Sequence, residues 1–225
     1  MIKALLFDFY GTLVEEDDVY IKQICNEIYE KSPKTCSNSE IGKYWYQRFL
    51  NLCNGSFGDG FMLQREIEVQ ALQSTIQYFQ SEADAIALSE MLFSYWSAPQ
   101  AFGNTAQMLS QLSLKTCVVS NIDDLDLNAA LNHIAFTPDF MVTSESAKSY
   151  KPRAEMFQQA LERLKLKPSE VIHIGDSYSN DIVGSNKLGI ANIWMNNKKR
   201  INRGRIKPDH EVADILEILP IIANR

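Results

Sequence analysis

The first fourteen residues, MIKALLFDFYGTLV (1–14), decide the fold, because an apolar run ends there in a single carboxylate. The apolar residues 4–7 predict a buried strand, and Asp8 stands at its carboxyl end. A buried carboxylate is costly unless a partner group uses it. Gly11 and Thr12 follow and predict a tight turn beside Asp8. Asp8 is therefore a candidate functional residue, and its partners should lie near the end of this strand.

After this strand the chain predicts helices alone, and only later do strands alternate with helices. Apolar spacing predicts four helices between about residues 17 and 96, and the segment SAPQAFGN (97–104) then breaks the pattern with proline and glycine. Strands that alternate with helices predict right-handed crossovers and a parallel sheet. Four further strands are predicted, at residues 114–121, 139–144, 171–177 and 190–196.

The helical segment after the first strand is too long to be a loop. It predicts a second domain inserted into the sheet domain, with hinges near Val14–Asp18 and Ser97–Gly103. We therefore expect a discontinuous core of residues 1–15 and 98–225, and an inserted helical domain of residues 16–97.

Composition narrows the function classes. The net charge of −6 argues against a general nucleic-acid-binding protein. No apolar stretch has the length of a signal-peptide core or of a membrane span. The scattered thiols show no zinc-ligand spacing and fit a reducing compartment; they are Cys25, Cys36, Cys53 and Cys117. We expect a cytoplasmic protein, monomeric or homodimeric, that acts on a small molecule and on neither nucleic acid nor membrane.

Polar side chains follow the predicted strands at the edge where an open parallel sheet binds its ligands. These candidates are Asp8, Ser120, Asn121, Lys151, Asp176 and Asp181. Taken singly, each has a plain structural explanation as a turn, a helix cap or a solvated lysine. Taken together, the carboxylates would repel one another unless a cation joined them. Oxygen ligands of this kind suit Mg²⁺, so the pattern predicts a magnesium site that substrate phosphate would complete.

Four segments resemble, in order, the four motifs of the haloacid dehalogenase-like hydrolase superfamily. They are FDFYGTL (7–13), VVSN (118–121), YKP (150–152) and GDSYSND (175–181). The resemblance spans the whole chain and implies an α/β fold, with a Rossmann-like parallel-sheet core and an inserted all-helical cap domain. The stretch that begins with GDSYSND is similar to that of small-molecule phosphatases in the superfamily, especially the pyrimidine nucleotidase-like members.

The resemblance implies a role for each motif residue. Asp8 would be the nucleophile and would form a covalent aspartyl ester, while Lys151 would hold it and neutralise charge in the transition state. Mg²⁺ would be bound by Asp8, by Asp176 and by the main-chain carbonyl of Tyr10. Asp181 would fix either the surroundings of the metal or Lys151.

Substrate contacts are implied in the second motif and in the turn after the nucleophile. Ser120 would donate a hydrogen bond to the transferring group, assisted by its own main chain or that of Asn121. Thr12 is a further substrate-binding candidate.

Tyr10 departs from the phosphatase pattern. Phosphatases of the superfamily usually carry a second aspartate there, which protonates the leaving oxygen and later activates water. A phenol with its ordinary pKa of about 10 is a poor base near neutral pH. The true 2-haloacid dehalogenases carry tyrosine at this position, because a halide leaves without a proton. They also lack the phosphatase-type pair of metal carboxylates in the fourth motif.

A metal site is useless to a dehalogenase, and three carboxylates without a cation would repel one another. We therefore favour Mg²⁺-dependent hydrolysis of a small-molecule phosphate ester or acyl phosphate through an aspartyl-phosphate on Asp8, with Tyr10 in place of the acid/base aspartate. The first alternative is a 2-haloacid dehalogenase that acts through an aspartyl ester. The second is a catalytically impaired protein that binds a phosphorylated ligand or a partner.

Two further segments have open interpretations. In YWYQRF (44–49), Trp45 and Phe49 either pack in the cap core or line the substrate pocket, and Arg48 is a candidate ligand for a substrate carboxylate or phosphate. The basic segment KKRINRGRIKPDH (198–210) is interpreted as a solvated loop, with an anion-binding patch as the alternative.

Overall fold

The computed structural model describes residues 1–33, 35–201 and 204–223. A six-stranded parallel sheet forms its centre, with strand order β3-β2-β1-β4-β5-β6. The strands are β1 (Ala4–Phe7), β2 (Lys115–Ser120), β3 (Phe140–Thr143), β4 (Val171–Gly175), β5 (Ala191–Met195) and β6 (His210–Val212). The predicted α/β class with a parallel sheet is confirmed.

Ten α-helices accompany the sheet in the described part of the chain. Four of them lie between β1 and β2 and form the helical insertion: α1 (Asp18–Glu30), α2 (Asn38–Gly55), α3 (Gln64–Phe79) and α4 (Ala85–Ser97). The other six are α5 (Thr105–Ser110), α6 (Asp124–His133), α7 (Ser144–Ala147), α8 (Glu155–Leu164), α9 (Val183–Asn186) and α10 (Ile218–Ala223). None of the described helices is long and apolar enough to cross a membrane.

The cap of α2 shows how local sequence starts these helices. The spacing predicts Asn38 or Ser39 as the N-cap, but the structure begins the helix one residue earlier. The Ser37 hydroxyl accepts from the main-chain N–H of Glu40, and the Glu40 carboxylate accepts from the main-chain N–H of Ser37 at 2.9 Å. This reciprocal pair satisfies two N–H groups that a helix start leaves unpaired.

β1 is buried on both faces and divides the core into two layers. Leu5 and Phe7 pack into one layer, which extends into the helical insertion. Ala4 and Leu6 point to the opposite layer, beneath α8. This alternation follows from the two-residue repeat of a strand, and it leaves the carboxyl end of β1 free to present a polar residue.

The two connections between sheet and insertion are joined to each other. The Glu15 N–H donates to Gln100 O at 2.8 Å, and Val14 forms an antiparallel bridge with Ala101. The Tyr95 hydroxyl at the end of α4 donates to Glu15 O at 2.7 Å. These bonds lie within the two segments in which the sequence predicts hinges.

The insertion also docks on α6 of the sheet domain. Arg65 makes a bidentate ion pair with the buried Asp126, with N–O distances of 2.8 and 2.6 Å. The carboxylate of Asp123 accepts from the main-chain N–H groups of Gln64 and Arg65 at 2.8 and 3.0 Å, so it caps α3 from outside the insertion. This docking places α3 over the carboxyl edge of the sheet.

Candidate active site

Asp8 and Lys151 form a buried ion pair at the carboxyl end of β1. The Asp8 N–H continues the sheet by donating to Ile174 O at 2.8 Å. Lys151 Nζ donates to Asp8 Oδ1 at 2.6 Å, to Asp181 Oδ1 at 2.7 Å and to Val119 O at 2.8 Å. Burial lowers the pKa of Lys151, but the charges of Asp181 and Asp8 outweigh burial, so the pKa is raised. Lys151 is therefore a fixed ammonium with all three donors in use.

Asp181 is the residue that holds Lys151 in place. Its carboxylate accepts from Lys151, from the Ser177 N–H at 2.9 Å and lies 2.9 Å from His173 Nε2. Burial raises the pKa of Asp181, but Lys151 and His173 bring it down to about 2. The sequence pattern indicates a core histidine at position 173. The ring is fully buried in β4, and its contact with Asp181 is a second role that the apolar pattern around it hides.

Two glycines leave room for the aspartates of the fourth motif. Gly11 has φ +84°, and a Cβ added there would lie 2.7 Å from Cγ of Asp176. A Cβ on Gly175 would lie 2.3 Å from Cγ of Asp181. A larger residue at either position would displace a carboxylate from the site, and at Gly11 it would also adopt a strained backbone.

Asp8, Asp176 and Asp181 bring carboxylate oxygens within 4.8 Å of one another, and all three residues are buried. Burial raises the pKa of Asp8 to about 6, with Lys151 opposing the rise and Asp181 adding to it. Burial also raises the pKa of Asp176 well above its usual range, and the charges of Asp8 and Asp181 reinforce this. Lys151, together with Arg200 at 3.1 Å from Asp176 Oδ2, therefore leaves the pKa values of Asp8 and Asp176 raised. Oxygen donors at this spacing fit a hard divalent cation such as Mg²⁺.

The side chain of Tyr10 is directed away from this group. Its hydroxyl donates to Trp96 O at 2.5 Å, at the end of α4, and its ring packs edge-on against Phe9 with centroids 5.0 Å apart. Burial, followed by the charge of Asp126, raises the pKa of the phenol. The phenol proton is thus engaged by the helical insertion, and the group is no base near neutral pH. No described residue donates to the main-chain carbonyl of Tyr10.

The remaining candidates of the sheet edge surround Asp8 and Lys151. Asn121 Oδ1 accepts from the Lys151 N–H at 2.7 Å, and its Nδ2 donates to Lys151 O at 3.2 Å. The side chain of Asn121 therefore positions the lysine. Thr12 Oγ1 donates to Asp8 Oδ2 at 3.3 Å and is fully buried, while Ser120 lies at the end of β2 and lines the open space.

A cavity of about 470 Å³ opens in front of these residues, between the sheet edge and the insertion. Lys198 and Arg200 of the basic segment line it. Arg200 lies 3.1 Å from Asp176 Oδ2 and 3.1 Å from Glu16 Oε1. Lys198 pairs with Asp18 at 2.6 Å and also with Glu16.

The interpretation of the basic segment as a solvated loop stays a prediction, because Lys198 and Arg200 are exposed and also form ion pairs at the cavity. Arg203 of the same segment lies outside the described residues. The basic composition of this segment is visible in the sequence. Composition alone does not indicate which acidic groups lie opposite its lysines and arginines.

The structure does not bring Arg48 to the catalytic cavity. Arg48 is absent from its lining, and its Nε is buried without a hydrogen-bond partner. Its neighbours Trp45 and Phe49 do line a space, a second cavity of about 240 Å³ within the insertion. Lys198 and Arg200, which line the cavity in front of Asp8, come from the segment after β5 and not from α2.

The sequence of this chain is similar to those of two relatives, among others. Pyrophosphatase PpaX of Bacillus thuringiensis is 24% identical over 227 residues, which cover 99% of this chain and 97% of that protein. Haloacid dehalogenase-like hydrolase domain-containing protein 3 of Danio rerio is 34% identical over 130 residues, covering 56% of this chain. The matched segment is 52% of that second protein, so the likeness to it spans about half its length.

Solved structures share the fold. L-2-haloacid dehalogenase from Xanthobacter autotrophicus superposes with a TM-score of 0.78 at 19% identity, covering 99% of both chains. A HAD phosphatase from Thermococcus onnurineus superposes with a TM-score of 0.64 at 22% identity, covering 98% of both chains. Dehalogenases and a phosphatase thus share this architecture, including a helical insertion.

The family match reaches from the first strand to the end of the fourth motif's helix. The model of the haloacid dehalogenase-like hydrolases matches residues 2–189. Within that range lie Asp8, Lys151, Asp176 and Asp181, which the structure brings together around one cavity. The chain accordingly belongs to the haloacid dehalogenase-like hydrolase family and is a hydrolase.

Proposed function

We propose that the protein is a Mg²⁺-dependent hydrolase of small-molecule phosphates, with Asp8 as its nucleophile. The observation that carries the proposal is the group formed by Asp8, Asp176 and Asp181, whose oxygens lie within 4.8 Å of one another in a buried site. Lys151 offsets the charges of Asp8 and Asp181, but the pKa of Asp176 stays well above its usual range with Arg200 3.1 Å away, and a bound cation would relieve the remaining repulsion. A dehalogenase has no use for such a cation.

In this proposal Asp8, Asp176 and the main-chain carbonyl of Tyr10 hold the ion. Bound Mg²⁺ would reduce the repulsion between the Asp8 anion and an anionic phosphoryl group. Asp181 keeps its place as the partner of Lys151, because its oxygens already accept three hydrogen-bonding groups. Asp176 is the carboxylate whose raised pKa a cation would reverse.

The chemistry proceeds in two displacements at phosphorus. A carboxylate oxygen of Asp8 bonds to phosphorus, and the bond to the leaving oxygen breaks with its electron pair on that oxygen. Water then attacks the phosphorus of the aspartyl-phosphate, releases inorganic phosphate and a proton, and restores the Asp8 carboxylate. Lys151 neutralises charge at Asp8, and Ser120 donates to the transferring group.

The leaving group is constrained by the hydrogen bond of Tyr10. Its phenol donates to Trp96 O, so it does not offer its proton to a leaving oxygen. Substrates whose leaving group departs as an anion therefore suit the site best, such as acyl or aryl phosphates. A relative named pyrophosphatase is consistent with this class, because its substrate also releases a stable anion.

Residues 16–97 act in this proposal as a cap over the cavity. The insertion contributes Asp17, Tyr46, Gln64 and Trp96 to the cavity wall. Closing such a wall over the substrate excludes water from the first displacement.

A 2-haloacid dehalogenase is the second candidate, and a specific contact favours it. Arg200 lies 3.1 Å from Asp176, so a basic side chain can neutralise that carboxylate in place of a metal ion. The engaged phenol of Tyr10 also suits a halide, which leaves without a proton.

One experiment separates the two candidates. The purified protein is incubated with an aryl phosphate and with 2-chloropropionate, each with Mg²⁺ and with a chelator. We expect phosphate release that requires Mg²⁺ and no chloride release. Chloride release that survives the chelator would overturn the proposal in favour of the dehalogenase.

A further inference from the structure

The helical insertion contains a cavity of its own, which continues from the catalytic cavity. It encloses about 240 Å³ between α1, α2, α3 and α4. Five residues line both spaces, so the two cavities adjoin each other: Asp17, Ile21, Tyr46, Gln64 and Trp96. A leaving group attached to a phosphoryl group at Asp8 would therefore extend into the insertion.

Two carboxyl groups face this cavity, the buried Glu68 and the partly buried Asp17, and each accepts a hydrogen bond from an indole. Trp45 Nε1 donates to Glu68 at 2.7 Å, and Trp96 Nε1 donates to Asp17 at 2.9 Å. Within residues 1–33, 35–201 and 204–223, no lysine, arginine or histidine forms an ion pair with either carboxyl. Burial raises the pKa of Glu68 to about 8 and also raises the pKa of Asp17.

The side chain of Gln64 is a separate indication that this cavity binds a ligand. The residue is 8% exposed and lines both cavities, and its Oε1 is buried with no hydrogen-bond partner. Buried amide oxygens are rarely left without a donor. Gln64, Glu68 and Asp17 thus offer hydrogen-bond acceptors to a space in which the two indole N–H groups are already engaged.

The rest of the wall is aromatic and apolar. Trp45, Tyr46, Phe49 and Trp96 line the cavity, together with Ile21 and Leu92. Aromatic faces attract a cation, and they also solvate an alkyl chain. Carboxyls set among aromatic rings therefore fit a group that is cationic, rich in N–H donors and carried on a short alkyl stem.

We propose that this cavity is the leaving-group subsite for a protonated primary amine, so that the substrate is an acyl or aryl phosphate whose leaving group carries an aminoalkyl chain. The inference rests on the proposed phosphohydrolase function and narrows its substrate class. The phosphoryl group lies at Asp8 and Lys151, and the ammonium lies among Glu68, Asp17 and Gln64. A primary ammonium has three N–H donors, which matches those three acceptor side chains. A quaternary ammonium would leave them without donors.

The first test measures binding and does not depend on turnover. Trp45 and Trp96 are two of the three tryptophans of the chain, so tryptophan fluorescence reports on the cavity. Butylammonium is titrated against 1-butanol, which has the same chain length without the charge. We expect saturable quenching or a spectral shift by butylammonium at about tenfold lower concentration than by 1-butanol.

Glu68→Gln keeps an acceptor for the Trp45 indole and removes the carboxyl. We expect it to abolish the preference for butylammonium. Glu90→Gln is the matched control, because Glu90 is exposed on α4 of the same insertion and does not line the cavity. An equal response of wild type to both probes, or an unchanged preference in Glu68→Gln, would overturn the subsite.

The second test measures turnover with Mg²⁺. We expect kcat/KM for 4-(aminomethyl)phenyl phosphate to exceed that for 4-ethylphenyl phosphate about tenfold, and Glu68→Gln to bring the ratio near one. The trimethylammonium analogue of 4-(aminomethyl)phenyl phosphate should be a poorer substrate than the primary amine. Phosphate release from the aminomethyl and ethyl compounds at equal rates would refute the subsite and leave the phosphohydrolase intact. If no phosphate ester or aryl phosphate is hydrolysed, the proposed function fails, and the fluorescence titration then decides the subsite alone.

Discussion

The catalytic cavity and the cavity inside the helical insertion both contain carboxyl groups, but they differ in which groups balance the negative charge of those carboxyls. In the first, Lys151 donates to Asp8 and Asp181, and a metal ion is proposed to balance the remainder. In the second, Glu68 and Asp17 accept from indole N–H groups, and no basic residue among the described ones pairs with either. The difference indicates that the first site carries its own cation while the second awaits one from a ligand.

The largest effect is expected from removing Asp8, the proposed nucleophile. Asp8→Asn keeps an acceptor for Lys151 but cannot form the aspartyl-phosphate, so phosphate release should fall at least about 1000-fold. Activity is measured with an aryl phosphate and folding by circular dichroism. Asp59→Asn, which alters an exposed aspartate of the insertion, is the control. A folded Asp8→Asn protein that kept a tenth of the activity would exclude Asp8 as nucleophile.

Removing Asp176, the proposed metal-binding carboxylate, tests which cation balances the negative charge in the catalytic cavity. Asp176→Asn should weaken Mg²⁺ binding about 100-fold, or about 2.7 kcal/mol, as measured by titration calorimetry. Asp18→Asn removes another carboxylate of the same cavity wall and should leave Mg²⁺ binding within about threefold. Wild-type protein that binds no Mg²⁺ would mean that Arg200 alone neutralises Asp176, and the two cavities would then differ less than proposed.

The sequence predicted the first site better than the second for a physical reason. Asp8 and Asp176 directly follow strands, Ser120 ends β2, and Lys151 follows β3 after the short helix α7; parallel strands bring these ends to one edge. The pattern of strands is local, so a sheet edge can be derived without knowing any tertiary distance. Thr12 and Asn121 were likewise found beside the nucleophile and the lysine.

The contacts that the sequence did not reveal join segments far apart in the chain. Arg200 meets Glu16 across 184 positions, and nothing near either residue signals the other. Glu68 lies within a helix whose spacing assigns it no special role, and only the packing of α2 against α3 places it beside Trp45. Arg48 is the opposite case. Its guanidinium could bind an anionic substrate group, but its position on α2 does not bring it to the catalytic cavity.

The second cavity makes a pH-dependent prediction through Glu68. The pKa of this carboxyl is about 8 in the folded protein and lies near 4.5 when unfolded, because burial disfavours its charged form. The folded state therefore binds one more proton between these values, so its stability falls as pH rises from about 4.5 to 8 and levels off above. Among the described residues, Asp17, the Trp45 indole and the thiol of Cys53 interact with Glu68, and Gln64 lines the same cavity.

Glu68→Gln should remove that pH dependence. Relative to wild type, the variant should gain roughly 3–4 kcal/mol of unfolding free energy between pH 5 and pH 8, measured by urea unfolding at both values. Glu90→Gln should show no such gain. If the free energy of unfolding of the variant differed from that of wild type by the same amount at both pH values, the pKa of Glu68 would not be raised. The contrast between the two cavities would then be weaker.

The smallest expected effect concerns Tyr10, which connects the two cavities through Trp96. Tyr10→Phe removes the hydrogen bond to Trp96 O and should lower the free energy of unfolding by about 1 kcal/mol. Tyr95→Phe is a matched control, because its hydroxyl also donates to a main-chain carbonyl, that of Glu15. If the phenol only holds the insertion, both variants should lose similar stability, and kcat on an aryl phosphate should fall less than about threefold in each. A selective loss of kcat on alkyl phosphates in Tyr10→Phe would instead make the phenol a proton donor, which requires its bond to Trp96 to break during turnover.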